Sequence, residues 1–403
     1  MDKPLTGIRV LDLSRILAGP WCSQHLADLG AEVIKVEHPI RGDDTRGWGP
    51  PYLEGTEDAA YYLSANRGKQ SIAIDIAHPA GQELIRDLIP QVDVVLENFK
   101  VGGLKRYGLD YEHLKAIKPD LIYCSITGFG QDGPYARRAG YDFLLQGMGG
   151  LMSLTGQPDG TPGGEPMKVG VAITDLFTGM YAATAILSAL LQRNRTGKGA
   201  WIDLSLLDVT VGTLANQAMN YLTSGQSPER MGNTHPNIVP YQVFATADGH
   251  IILAVGNDAQ FKRFCSLAGA PELAANPDYA TNPARVRNRD QLIPQLNELL
   301  ARHPSSFWLE SLEQAGVPCG PINNLEQVFS DPQVRHRGLR ITRPHPQAGE
   351  VPLVSNPVRF DGKALNAEQP PPALGEHTLE VLQRLLPDQG TRLEQLKAEG
   401  VIR

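Results

Sequence analysis

Between Gly7 and Gly130 the chain alternates short β-branched runs with helical stretches, and this pattern constrains the fold more than any other feature. The runs read IRVLDLS, EVIKVE, SIAIDI, DVVLENF and LIYCSITGFG, and the helical patterns between them include WCSQHLADLG, AGQELIRDLIPQV and GLKRYGLDYEHLKAI. Such βαβ alternation predicts an α/β fold with a mostly parallel sheet covered by helices on both faces. Ligands of such sheets bind beyond the carboxyl ends of the strands. Those ends carry Ser14-Arg15, Glu37-His38, Asn98-Phe99 and Thr127-Gly128. The first turn contains Gly19 but no G-x-G-x-x-G, and Gly197 to Gly199 lacks the rest of a P-loop, so neither a dinucleotide nor a Walker phosphate site is indicated.

At 403 residues with 41% hydrophobic content, the chain has room for a large core and two domains. The expected division is a large βαβ region over 1–200, a helix and linker over 201–240, a small α+β region over 241–325, and a return segment over 326–403 that ends in two helices. Within the small region, VFATADGHIILAVG reads as a hairpin around Asp248-Gly249, followed by helical patterns near 258–269, 284–302 and 305–315. The Gly/Pro-rich segment 155–166 reads as a surface loop with the composition of a lid.

A net charge of −7 argues against nucleic acid or an anionic membrane as partner. Cys22, Cys124, Cys265 and Cys319 are widely spaced, and the ten histidines show no metal-ligand spacing, so no metal site is expected. The opening MDKPLTGIRVLDL has no leader pattern, and reduced thiols fit a cytoplasmic location. The uncharged stretch Leu176 to Leu191 is shorter than the ~20 residues of a bilayer span and reads as a core helix.

Directly before that stretch stands Asp175, the one acidic residue in KVGVAITDLFTGMYAATAILSALL. At a helix start it has two readings: a cap for free N–H groups, or a catalytic carboxylate. No G-x-S-x-G elbow competes with it. A carboxylate is already ionised at neutral pH and attacks a thioester without a general base, giving a mixed anhydride that must be kept from water. Candidate phosphate ligands are Arg15, Arg41, Arg46, Arg67, Lys69, Lys100, Lys105 and Arg106, and Trp48 and Tyr141 are candidate walls of an acyl pocket.

The strings GIRVLDLSRILAGPWCSQHLADLGAEVIKVEHP, ENFKVGGLKRYGL, CSITGFGQDGPYARRAGYDF, VGVAITDLFTGM, AGVPCGPINN and PPPALGEHT occur in order along the chain. Together they resemble the class III CoA-transferases, the formyl-CoA transferase or CaiB/BaiF family, over nearly the whole length. The resemblance implies a Rossmann-like large domain over 1–200 completed by the C-terminal helices of 326–403, a smaller α+β domain, an interlocked homodimer, acyl-CoA thioesters as substrates, no tightly bound cofactor, and Asp175 as the nucleophile that carries aspartyl anhydride and aspartyl-CoA thioester intermediates. It also implies a CoA site at Arg15, Ile16, Leu17, Ala18, His38, Ile74, Asn98, Phe99, Arg106 and Ala139.

Leu17 stands where oxalate-using members carry Gln, and their GGGGQ loop is missing, which disfavours oxalate. Tyr141 lies where the racemase branch carries a catalytic His, and a phenol with a pKa near ~10 cannot serve as that base at neutral pH. The segments DDTRGWGPPY, YYLSANRGKQSIAID and NTHPNIVPYQVF resemble the branch that moves CoA from succinyl-CoA to glutarate. Itaconate or another short diacid is the alternative acceptor. A diacid keeps a remote carboxylate, for which Arg46, Arg137, Arg138, His235 and Asn237 are the candidate partners.

Overall fold

The computed structural model describes residues 3–403, which divide into two units. Among these, the first comprises residues 3–151, Val169–Met219 and Pro332–Arg403, and the second Met152–Lys168 and Asn220–Asp331. The first begins β1 (Arg9–Asp12), α1 (Ala18–Asp28), β2 (Glu32–Glu37), α2 (Ala60–Leu63), β3 (Lys69–Ala73), α3 (Pro79–Leu88), β4 (Val94–Glu97), α4 (Tyr111–Ile117) and β5 (Ile122–Thr127). It continues through α5 (Asp142–Met148), past α6 (Leu151–Leu154), to α7 (Ile173–Thr196), β6 (Ala200–Ser205) and α8 (Leu206–Gly212).

All six strands are parallel, in the order β3-β2-β1-β4-β5-β6. The chain leaves β1 in opposite directions toward β2 and β4, so the crevice beyond β1 and β4 is the topological switch point. The inner strands β4 and β5 are buried along their whole length, as strands covered on both faces must be. One face packs Leu84, Ile85 and Leu88 of α3 with Leu382, Leu385, Leu393 and Leu396 of the C-terminal segment. The other packs Cys22 and Leu26 of α1 against Ala182, Ala183 and Ile186 of α7.

Three local departures from the sequence reading have identifiable causes. The helical stretch expected over GLKRYGLDYEHLKAI is broken because Gly108 takes φ +64° after a short 3₁₀ turn, and α4 starts only at Tyr111. The further strand that the sequence pattern suggests over Trp201 to Leu207 is cut short, because β6 stops at Ser205, whose hydroxyl accepts from the Asp208 N–H and caps α8. α7 runs 24 residues, longer than the apolar stretch alone. It buries only one face: Thr178, Ala182, Ala183, Ile186 and Leu190 point inward, while Phe177, Met180, Tyr181 and Leu191 are exposed.

The second unit holds an antiparallel sheet of β7 (Tyr241–Ala245), β8 (His250–Ala254) and β9 (Cys319–Pro321), with its own core of Phe244, Ile251, Phe261, Phe264, Leu296 and Trp308. The β7–β8 turn is tied to the helix Ser305–Gln314 by Asp248, which accepts from the Ser305 N–H at 2.7 Å. The stretch 284–302 is two helices, Asn282–Arg287 and Arg289–Leu300. Asn288 separates them and donates its side-chain amide to the carbonyls of Ala284 and Asp278. The loop 155–166 belongs to this unit, where Arg230 pairs with Asp159 and donates to the carbonyls of Gln157 and Gly164. In the C-terminal segment, β10 (Arg340–His345) and β11 (Gly349–Val354) form a hairpin that belongs to the first unit.

Candidate active site

At the switch point, the turn from β1 into α1 is bent more sharply than ordinary residues allow. Ile16 has φ +73°, a strained conformation for a β-branched residue. Its N–H faces both oxygens of Asp43 at 3.3 Å. Lys35 holds Asp43 at 2.8 Å and the Ser14 carbonyl at 2.9 Å. Asn98, just past β4, exchanges two hydrogen bonds with the Arg15 backbone, accepting from its N–H at 2.9 Å and donating to its carbonyl at 2.7 Å. A Cβ on Gly19 would lie 2.2 Å from Ser14 Oγ, so only glycine permits this approach.

A second close approach forms the opposite wall. Gly128, after β5, meets Gly140 backbone to backbone, and a Cβ on either would come within 2.7 Å of the other's Cα. This contact sets Arg138, Ala139 and Tyr141 beside the strand end. Arg138 lies over Phe129 and Tyr135, 5.2 and 4.7 Å from the ring centroids.

Asp175 occupies the first turn of α7, yet it is not the cap of that helix. Asp142 of α5 takes that role from outside, accepting from the Thr174 N–H at 2.8 Å and the Asp175 N–H at 3.3 Å. Its other oxygen accepts from Gln146, whose carbonyl in turn accepts from the Val169 N–H at 2.9 Å. Among the described residues no hydrogen bond or ion pair reaches the Asp175 carboxylate. Burial, and after it the negative charge of Asp142, push the Asp175 acid up to about 7.

These elements enclose a cleft of about 460 Å³. It brings together Asp175 with Arg15, Ile16, Leu17, Ala18, Asn98, Phe99, Arg106, Ala139 and Tyr141 of the expected set. Lys100, Arg138, Thr127, Gly128 and Gly140 line it as well. Arg15 is fixed there by Asp44 at 2.9 Å and lies 5.7 Å from the Phe99 ring centroid.

Other expected residues lie away from the cleft wall. Ile74 is 1% exposed, packed in the core and bridged to Ile402, and offers no surface to a ligand. Arg46 is consumed internally, donating to Glu37, Asp58, Tyr62 and the Pro372 carbonyl, and so cannot clamp a substrate carboxylate. His38 spends its Nδ1 accepting from the N–H groups of Ile40 and Arg41. Trp48 packs edge-on against Tyr61, with ring centroids 5.3 Å apart. Burial and then the charges of Asp175 and Asp142 raise the Tyr61 phenol, which joins this aromatic pair to the electrostatics of Asp175. His235 and Asn237 lie in the second unit, His235 tilted against Tyr241 and Asn237 bonded to Asn220 and Asn282. Asp142 escaped the sequence reading, although it directly follows Tyr141 in AGYDF.

A profile of CoA-transferase family III matches residues 5–378. The chain belongs to this family. A succinate–glutarate CoA-transferase of Agrobacterium fabrum is 52% identical over 386 residues, covering 95% of this chain and 96% of that protein. The human succinyl-CoA:glutarate CoA-transferase is 46% identical over 400 residues, covering 99% of this chain and 90% of the human one. Among solved structures, a CaiB/BaiF family protein from Brucella suis superposes with a TM-score of 0.83 at 53% identity, covering 96% of this chain and all of that one. The family fold is therefore the one described above, with a Rossmann-like parallel sheet in its first unit.

Proposed function

We propose that this CoA-transferase moves CoA from succinyl-CoA to glutarate with Asp175 as covalent carrier. The observation that carries the reading is a carboxylate with no hydrogen-bond or ion-pair partner, set in the switch-point cleft of a family III fold. The relatives named for succinyl-CoA and glutarate support the substrates.

An Asp175 oxygen attacks the succinyl thioester carbonyl. The C–S bond breaks, CoA leaves as thiolate, and a succinyl-aspartyl anhydride remains. The thiolate attacks the aspartyl carbonyl and expels succinate, leaving aspartyl-CoA thioester. A glutarate carboxylate attacks that thioester and releases the thiolate again, and the thiolate finally takes the glutaryl group and frees Asp175. Over the whole cycle one thioester is exchanged for another, and each anhydride is returned to a thioester by the same thiolate, so neither ATP nor a resident cofactor is needed.

Arg15, Lys100 and Arg106 supply cations for the CoA phosphates, and Arg138 supplies one for the remote carboxylate of the diacid. The exposed apolar face of α7, with Phe143, Leu144 and Met148 of α5, supports the interlocked homodimer as the working form, since a face of this size is normally covered. The four cysteines are free, which fits work in a reducing cytoplasm.

The test is mass detection of acyl-CoA products after incubation with succinyl-CoA and equimolar glutarate, adipate, itaconate, malate and oxalate. Dominant glutaryl-CoA with stoichiometric succinate is the expected result. Dominant itaconyl-CoA would move the acceptor assignment. No new thioester, with α-deuterium exchange in its place, would put the protein in the racemase branch.

A further inference from the structure

The first turn of α7 is unusual in where its N–H groups go. Ile173 donates to the Val171 carbonyl at 2.8 Å and Leu176 to the Ala172 carbonyl at 3.1 Å. Thr174 and Asp175 donate to Asp142, 2.8 and 3.3 Å away. All four donors of the turn are therefore spent, two of them on a carboxylate from another helix. A carboxylate in the first turn ordinarily gains from such donors and from the positive end of the helix dipole. Asp175 gains from neither, because Asp142 occupies the donors and places its own negative charge over the helix end.

We infer that Asp142 is a positioning residue that keeps the Asp175 carboxylate free of hydrogen bonds and beside a like charge, and thereby favours acylation of Asp175. The inference rests on Asp175 being the nucleophile. A hydrogen-bonded carboxylate must give up those bonds to attack a carbonyl, and a free one need not. Acylation also removes the charge on Asp175, so the anhydride and the aspartyl-CoA thioester are both relieved of repulsion from Asp142. Gln146 holds Asp142 from the side at 2.7 Å, which fixes the oxygen that faces the turn.

The other groups around Asp175 leave this arrangement intact. On α7 itself no second charged side chain occurs before Arg193. From the cleft walls Arg15, Lys100, Arg106, Arg138 and Tyr141 face the same space, and none forms an ion pair with Asp175 among the described residues. From α2, Tyr61 couples to both aspartates. Asp203 of β6 accepts from the Gln131 N–H and is raised by burial and by Asp132 and Asp208, not by Asp175.

Asp142→Asn separates charge from cap, since its amide oxygen still accepts from the two N–H groups. Two quantities are read in the full-length protein: the acid limb of kcat/KM, and the fraction of enzyme carrying a hydroxylamine-sensitive CoA adduct after succinyl-CoA is added without acceptor. The expected result is an acid limb lower by about one pH unit and a several-fold smaller adduct fraction. Asp142→Glu, which keeps the charge, is expected to retain the wild-type limb. Asp142→Ser, which also accepts without charge, reads the same quantities where Asn at 142 costs the fold. An uncharged variant that folds with wild-type limb and adduct overturns the inference and leaves Asp142 as a cap alone. Wild-type enzyme with no adduct at all overturns the Asp175 reading and this inference with it.

Discussion

Burial pushes four acids of the first unit upward, Asp12, Glu37, Asp43 and Asp175, and they end in opposite states. Asp12, Glu37 and Asp43 lie beneath the β1–α1 turn. Burial alone would raise all three, yet Lys69 and Lys35 hold Asp12 below the usual carboxylate range, and Arg46 does the same for Glu37. Lys35 and Thr45 bring Asp43 down to about 2. Asp175 has a like charge for a neighbour and rises to about 7. The difference comes from partners: where burial is matched by counter-charges the acid is held low and braces the turn that carries Ile16, and where it is met by a like charge the acid rises.

The comparison breaks most sharply at Asp175. Asp175→Asn keeps the shape and removes the proposed nucleophile, and transfer is expected to fall by roughly 10⁴-fold or more while the protein stays folded, as read by product formation and circular dichroism. The paired group should respond in the reverse sense. Lys35→Met leaves Asp43 buried without its 2.8 Å partner and is expected to cost about 3–5 kcal/mol in denaturant unfolding. Replacing both members, Lys35→Met with Asp43→Leu, should recover a good part of that loss. If the single and double variants were equally destabilised, the network would be bracing the turn through packing rather than through pairing.

Stability against pH sharpens the contrast. The Asp175 acid is raised on folding, so its protonated form stabilises the native state below the unfolded carboxylate range near ~4, and that contribution is lost as pH rises through about 7. Asp175→Asn escapes this loss. Its stability advantage over wild type should grow from near zero at pH 4 to on the order of 1–4 kcal/mol at pH 8, measured by urea unfolding across that range. A constant difference would mean that Asp175 is not held protonated by its surroundings.

Most of the frame was legible in the sequence because parallel strands buried on both faces must read as nearly continuous apolar runs, as VVLE and IYCSIT do. Arg15, Asn98 and Phe99 were legible for the related reason that ligands collect beyond strand ends, and Ile16 to Ala18 and Arg106 through the family resemblance. What was hidden depends on through-space partners. Arg46 reads as a ligand-binding cation until Glu37 and Asp58 are seen to occupy it. Ile74 reads as a pocket wall until the returning C-terminus places Ile402 against it. Asp142 acts on a residue 33 positions away, across a helix junction that no periodicity reports.

Arg138 offers the smallest expected effect and the finest discrimination. It lines the cleft, rests on two aromatic rings, and among the described residues has no carboxylate paired to it, whereas Arg15 beside it is already tied to Asp44. A cation held only by ring faces and a 3.9 Å contact to the Met148 sulfur remains open to an incoming anion. If that anion is the remote carboxylate of the diacid, Arg138→Gln should raise KM for glutarate about tenfold, equivalent to ~1.4 kcal/mol, with kcat changed less. Succinyl-CoA carries a remote carboxylate too, so its KM should rise in parallel, while a donor such as acetyl-CoA should be nearly unaffected. Were the KM of every acyl-CoA to rise and that of glutarate to stay constant, Arg138 would belong with the phosphate-binding cations, and selection for a diacid would have to come from elsewhere in the site.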